Sequence, residues 1–115
     1  MIEVYTDAAA SGDPGPSAAG VIIKQGQVIK EYTFDLGEKT NHEAEFLAVV
    51  KALEVCLDLY PEEIISIRSD AKIVVDTMEK NFTKNDQFRP IFDEILRLQE
   101  EFPYVFYKWI PEKNN

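Results

Sequence analysis

Three carboxylates in this chain stand where a divalent-cation site could be built. Asp7 follows Tyr5-Thr6, and Asp70 follows Arg68-Ser69. Each closes a run that reads as a strand. In open sheets with parallel neighbours, ligands bind beyond the carboxyl ends of the strands. If the two strands are adjacent, at ~4.8 Å spacing, Asp7 and Asp70 project into one small region. Carboxylates that close repel each other unless a cation or a shared proton intervenes. The third is Glu45. Ala48, Val49, Ala52 and Cys56 lie at i+3, i+4, i+7 and i+11 from it, so Glu45 heads the stripe of a helix that faces the core. A charge at such a position calls for an ion pair or a metal. Glu43 lies off that stripe and is expected to be solvated. Taken singly, each Asp reads as a turn or cap residue, Asp70 as the cap of a helix starting at Ala71. Glu45 alone reads as a first-turn residue favoured by the helix dipole. Together they make an oxygen-ligand cluster suited to a hard cation, and the spacing alone names no reaction.

The elements that must hold these residues follow from the pattern. Ile2, Val4 and Thr6 alternate with Glu3, Tyr5 and Asp7, which predicts a short strand. Asp13-Pro14-Gly15-Pro16 predicts a loop. Ala19 to Lys24 predicts a second strand, Gln25-Gly26-Gln27 a tight turn, and Val28 to Leu36 a returning third strand, so the first half is an antiparallel meander. A helix is expected from Asn41 or His42 to about Tyr60, capped by Thr40 or Asn41 and ended by Pro61. Ile64 to Ser69 predicts a fourth strand, Ala71 to Lys80 a short helix, Gln87 to Glu101 a longer one, and Tyr104 to Ile110 a fifth strand. The order β-β-β-α-β-α-α-β implies a mixed α/β sheet. Right-handed crossovers would put the first and fourth strands side by side and parallel.

The 115 residues suffice for one domain, and 45% hydrophobic content excludes a disordered chain. No apolar run approaches the ~18 residues of a membrane span, so no membrane association is expected. Asp7 and Gly12 interrupt the N-terminus before any signal segment could form. The single Cys56 has no internal disulfide partner, reads as a small buried hydrophobe, and favours a cytoplasmic location. A net charge of −9 argues against a broad basic surface for nucleic acid. It leaves open a protein that meets phosphates through bound cations.

At this point the motifs resemble those of the ribonuclease H family, bacterial type 1-like. Tyr5-Thr6-Asp7, then Ser11-Gly12-Asp13-Pro14-Gly15-Pro16 and Gly20, resemble its opening. Thr40-Asn41-His42-Glu43-Ala44-Glu45 resembles its helix start, Ile67-Arg68-Ser69-Asp70 its third motif, and Tyr107-Lys108-Trp109-Ile110-Pro111 the strand before its last motif. Any one of these is weak; four in order along the whole chain are strong.

The resemblance implies a ribonuclease H-like fold: a five-stranded mixed sheet, an antiparallel meander followed by parallel strands, flanked by helices. It implies a metal-dependent endonuclease that hydrolyses the RNA strand of RNA–DNA hybrids and leaves 5′-phosphate products. Asp7, Glu45 and Asp70 match three of the family's four metal-binding carboxylates. Two Mg²⁺ ions are expected, with Mn²⁺ as a substitute. Two cations ~4 Å apart can clamp the attacking and leaving oxygens. Asn41 matches a residue that contacts the substrate in the minor groove. Gly12, Asp13 and His42 complete the expected substrate-binding set, although relatives often place Asn where Asp13 and His42 stand. A solvated or capping role for His42 remains the alternative.

The chain departs from the family in two places. The fourth carboxylate belongs to a final helix beyond the segment resembling Pro111-Glu112-Lys113-Asn114-Asn115, where this sequence stops. The expectation is a single domain over 1–115 without that helix, from truncation or disorder. Glu100 and Glu112 do not match the missing position. The link from Asn81 to Asp86 is short where some relatives carry a basic protrusion, and Lys80, Lys84 and Arg89 are a faint remnant of it. Hybrid binding is therefore expected to be weak and salt-sensitive. A catalytically weak or inactive binding or interaction module is the competing reading. A DNA-directed nuclease of the same superfamily is a third, which the Asn-His-Glu-Ala-Glu motif disfavours. A monomer is expected, or a dimer if an apolar sheet face is left uncovered.

Overall fold

The computed structural model describes residues 1–111. The elements run β1 Ile2–Ala10, β2 Gly15–Gln25, β3 Val28–Lys39, α1 Asn41–Leu59, β4 Ile65–Ser69, α2 Lys72–Lys80, α3 Arg89–Gln99 and β5 Val105–Trp109. The strands form one sheet in the order β3-β2-β1-β4-β5. β1–β2 and β2–β3 are antiparallel, whereas β1–β4 and β4–β5 are parallel. This is the meander followed by parallel strands that the sequence pattern predicts.

Period-two alternation turns Ile2, Val4, Val21, Ile23, Ile65 and Ile67 to one face of the sheet. There they meet Phe46, Val49, Leu53 and Cys56 of α1 in a single core. Each fully buried aliphatic or aromatic side chain contributes ~1.5–3 kcal/mol of burial. The core thereby clamps α1 over β1 and β4, which fixes Glu45 above the strand ends. Burial pushes the Cys56 thiol up to about 12, so it is an inert core residue, as expected.

The structure lengthens the first three strands. β1 continues to Ala10, so Asp7 does not end it. β2 begins at Gly15 rather than Ala19, and only residues 11–14 form the loop. Pro16 has no N–H to give, yet it fits a strand because its carbonyl accepts the Ser11 N–H at 2.8 Å. β3 runs past Leu36 to Lys39 through a bulge: Ser17 opposes Gly37 while Ala18 opposes Asp35. Gly37 takes φ 76°, and its N–H donates to Asp35 Oδ1 at 2.9 Å. The helices α2 and α3 start one or two residues later than the pattern predicts, within the normal scatter of helix ends.

The sheet face turned away from α1 is polar at its centre. Arg68 Nη1 donates to Tyr5 Oη at 3.3 Å and pairs with Glu3 at 3.5 Å. Lys24 Nζ sits 4.9 Å from the Tyr5 ring centroid. Charged stems on neighbouring strands thus cover the centre of that face.

Candidate active site

The site begins where parallel pairing stops. The β1–β4 ladder ends at Thr6 opposite Ser69. The next residue on each strand is an acid, Asp7 and Asp70. β1 goes on past this point paired with β2 alone, so Asp7 stands at the carboxyl end of the parallel pair although its strand continues. Thr6, Asp7, Ala8, Glu45, Ala48, Ser69, Asp70 and Ala71 line one small concavity. The three acids singled out in the sequence are thus brought together, and the small residues Ala8, Ala48 and Ala71 leave them room.

Each acid is held by its neighbourhood. Asp7 Oδ1 accepts the Ala8 N–H at 2.9 Å. Glu45 Oε1 meets His42 Nδ1 at 2.9 Å. The cap position of α2 is Ala71, which has no side-chain bond to give. The buried Ser69 Oγ accepts the Ala71 N–H at 3.0 Å. Trp109 Nε1 donates to the Asp70 carbonyl at 3.3 Å, and the Ile110 N–H to that of Ser69 at 2.9 Å, so β5 braces the turn carrying Asp70. Ser69 and Trp109 stand in the quoted motifs, but the sequence assigned neither a role. The hydroxyl one residue before the acid was the available signal for Ser69, whereas Trp109 needed the β4–β5 pairing.

The donor set suits a hard cation, being oxygen from three carboxylates. Among the described residues, no three His, Cys, Asp or Glu side chains are gathered closely enough to hold an ion as they stand. To hold a cation there, the three carboxylates would have to draw closer together.

The expected substrate-binding residues lie on the loop after β1 and on the first turn of α1. Gly12 has φ 127°, and a Cβ there would lie 2.9 Å from the Pro14 carbonyl oxygen. Asp13 Oδ1 accepts the Asn41 N–H at 2.9 Å, joining the loop to the start of α1. Asn41 and His42 are exposed on the first turn of α1. Glu43 is not simply solvated. It closes a capping box in which Thr40 Oγ1 accepts the Glu43 N–H and Glu43 Oε1 accepts the Thr40 N–H at 2.9 Å. That backbone bond, reinforced by Gln87 and Lys39, lowers the Glu43 carboxyl below its usual value. Arg89 spends a guanidinium N–H on the Thr83 carbonyl at 3.0 Å, so it shapes the 81–88 segment rather than reaching outward. Glu112 lies outside the described residues.

A sheet of this order, with acids at the end of its central parallel pair and a third on the covering helix, defines a ribonuclease H-like domain. Residues 5–115 match the reverse transcriptase-like family model, and the chain belongs to that family, of ribonuclease H type. It is 36% identical over 116 residues to EbsB of Enterococcus faecalis, covering 100% of this chain and 86% of that protein. It is 35% identical over 79 residues to the ribonuclease H of Rhizobium meliloti, covering 69% of this chain and 50% of that protein. The matches to such curated ribonucleases H therefore span about half of their length. Ribonuclease H1 of Halobacterium salinarum superimposes with a TM-score of 0.89 at 28% identity, over 96% of this chain and 86% of that one. LC11 ribonuclease H1, solved in complex with an RNA/DNA hybrid, gives 0.91 at 28% identity, over 100% of this chain and 88% of that one. Among the described residues no helix is long and apolar enough to cross a membrane.

Proposed function

We propose that this protein is a metal-dependent endonuclease that hydrolyses the RNA strand of RNA–DNA hybrids and leaves 5′-phosphate ends. The observation that carries the reading is the convergence of Asp7, Glu45 and Asp70 on one concavity at the end of the β1–β4 ladder. Family membership, and the hybrid bound by the LC11 enzyme, supply the substrate class.

Asp7, Glu45 and Asp70 would hold Mg²⁺, or Mn²⁺ in its place. Bound there, the metal supplies an activated water and charge stabilisation at the RNA phosphate and the leaving 3′ oxygen. The chain's own residues do the rest. The carboxylates set the position of the phosphate through their placement on rigid strand and helix ends. Asn41 presents its amide to the minor groove, with Asp13 fixing its backbone and Gly12 letting the loop approach the hybrid closely. With a net charge of −9, the body offers little attraction to phosphate away from this site. Binding is accordingly weak and falls steeply with salt. A monomer acting in the cytoplasm suits a chain whose one cysteine is buried and free.

A labelled RNA–DNA hybrid incubated with Mg²⁺ or Mn²⁺ tests the reading, with D70N as control. Cleavage of the RNA strand only, to 5′-phosphate products, is expected from the wild type and not from D70N. Equal cleavage by both, or none by either, overturns it. A second reading, a binding module of the same fold that does not cleave, is favoured by the absence of a closed acidic cluster among the described residues. Hybrid binding without cleavage would establish that one.

A further inference from the structure

His42 does its work through Glu45. We propose that it is a positioning residue for the metal-binding carboxylate, rather than a group that contacts the hybrid; this rests on the metal-site reading above.

The two side chains lie one turn apart on α1, with His42 Nδ1 2.9 Å from Glu45 Oε1. A carboxylate only accepts, so Nδ1 carries the proton and donates it. That bond occupies one oxygen of Glu45 and leaves Oε2 for a cation. The imidazole is itself aimed. Its ring stands edge-on to Phe88, with centroids 6.1 Å apart at 86°. Phe88 is buried and packs at a tilt of 38° against Phe46, a fully buried core residue, with centroids 5.0 Å apart. The chain Phe46–Phe88–His42–Glu45 therefore runs from the core to the Glu45 carboxylate. Gln87 Nε2 reaches Glu43 Oε2 at 3.3 Å and ties the same segment to the same helix turn. The ring is half exposed, with Phe88 against one side of it. Outer partners that orient metal-binding carboxylates are typically worth about 10–100-fold in metal affinity.

Asn separates contact from positioning. Its amide nitrogen hangs from Cγ, as does His Nδ1, so H42N keeps a donor at the same reach, whereas H42A has none. Mn²⁺ binding is measured without substrate, by electron paramagnetic resonance of the free ion, and hybrid KM at saturating metal. H42A is expected to weaken Mn²⁺ binding about tenfold or more with KM unchanged, and H42N to restore binding to within a few-fold of the wild type. Circular dichroism confirms that both variants fold. Three results overturn the role. Unchanged Mn²⁺ affinity in H42A with a raised KM makes His42 a substrate contact. Tighter Mn²⁺ binding in H42A makes it a competitor of the metal for Glu45. Failure of H42N to recover binding removes the shared donor as the cause. No saturable Mn²⁺ binding by the wild type would instead sink the metal site itself, and this role with it.

Discussion

Asp13 Oδ1 accepts the backbone N–H of Asn41 at 2.9 Å, pinning the turn between β1 and β2 to the first residue of α1. The first N–H groups of a helix have no partner within it. Here that of Asn41 is met from 28 residues away and that of Glu43 by Thr40 Oγ1. A residue expected to touch substrate thus also joins the β1–β2 turn to the start of α1.

The tie is exposed, so its loss should cost about 1 kcal/mol, as for other helix-start acceptors. D13A is expected to lower the urea midpoint accordingly with an unchanged slope. D13N keeps an acceptor oxygen at the same place and should lose less than half as much. An unaltered midpoint in D13A would show that water replaces the carboxylate without loss.

The same turn sets a sharper steric limit. A Cβ on Gly15 would lie 2.3 Å from the Ser11 carbonyl oxygen and 2.7 Å from its carbon, both backbone atoms. G15A is expected to cost upwards of ~2 kcal/mol, since overpacking against an unyielding neighbour costs at least 1–3. Gly20, five residues along the same strand, has nothing within 4 Å of its added Cβ. G20A should change stability by no more than about 0.5 kcal/mol. Thermal melts of the pair check this; equal losses would mean that the turn relaxes freely.

These details show what was legible in the sequence. Alternation in Ile2–Val4–Thr6 and the stripe below Glu45 depend on local periodicity, and both took their predicted places. The parallel pairing of β1 with β4 followed from connection handedness, and it is that pairing which brings Asp7 beside Asp70. Strand length was less accessible. β1 outruns Asp7, and β2 begins amid prolines, because pairing with a neighbour supplies bonds that local propensity does not reveal. The clasp of His42 on Glu45 depends on Phe88, which arrives from beyond α2. No reading of the Asn41–Glu45 motif alone could supply that wall.

The capping box makes stability depend on pH in a defined window. Glu43 accepts the Thr40 N–H, and this bond, foremost among its partners, lowers its carboxyl below the usual 4.5. A depressed carboxylate stabilises the fold fully above its unfolded value and loses that contribution as pH falls through its folded value. Wild type should therefore be more stable than E43Q at neutral pH, with the difference shrinking below about pH 4.5. Gln keeps an acceptor for Thr40, so the charge is what the comparison isolates. Urea titrations from pH 7 to pH 3 measure it, and a gap that stays constant would place the benefit in the hydrogen bond alone.

Asp7 carries the last prediction, because its charge stands beside that of Asp70 once the β1–β4 ladder ends. Without metal, like charges at adjacent strand ends destabilise the fold. D7N keeps an amide oxygen for the Ala8 N–H that Asp7 Oδ1 accepts at 2.9 Å, and removes the charge. In chelator-treated buffer its Tm should equal or exceed that of the wild type. Millimolar Mg²⁺ should then raise the wild-type Tm by several degrees, since a ligand at 100 times its Kd adds about 2.7 kcal/mol to the folded state. The same addition should leave D7N nearly unmoved, because the carboxylate that attracts the ion is gone. Chelator should reverse the wild-type shift completely. Differential scanning calorimetry of both proteins, with and without Mg²⁺, reads all of these at once. A wild-type Tm indifferent to Mg²⁺ would deny the carboxylates their cation, whatever their placement. An equal rise in D7N would move the ion to some other part of the acidic surface.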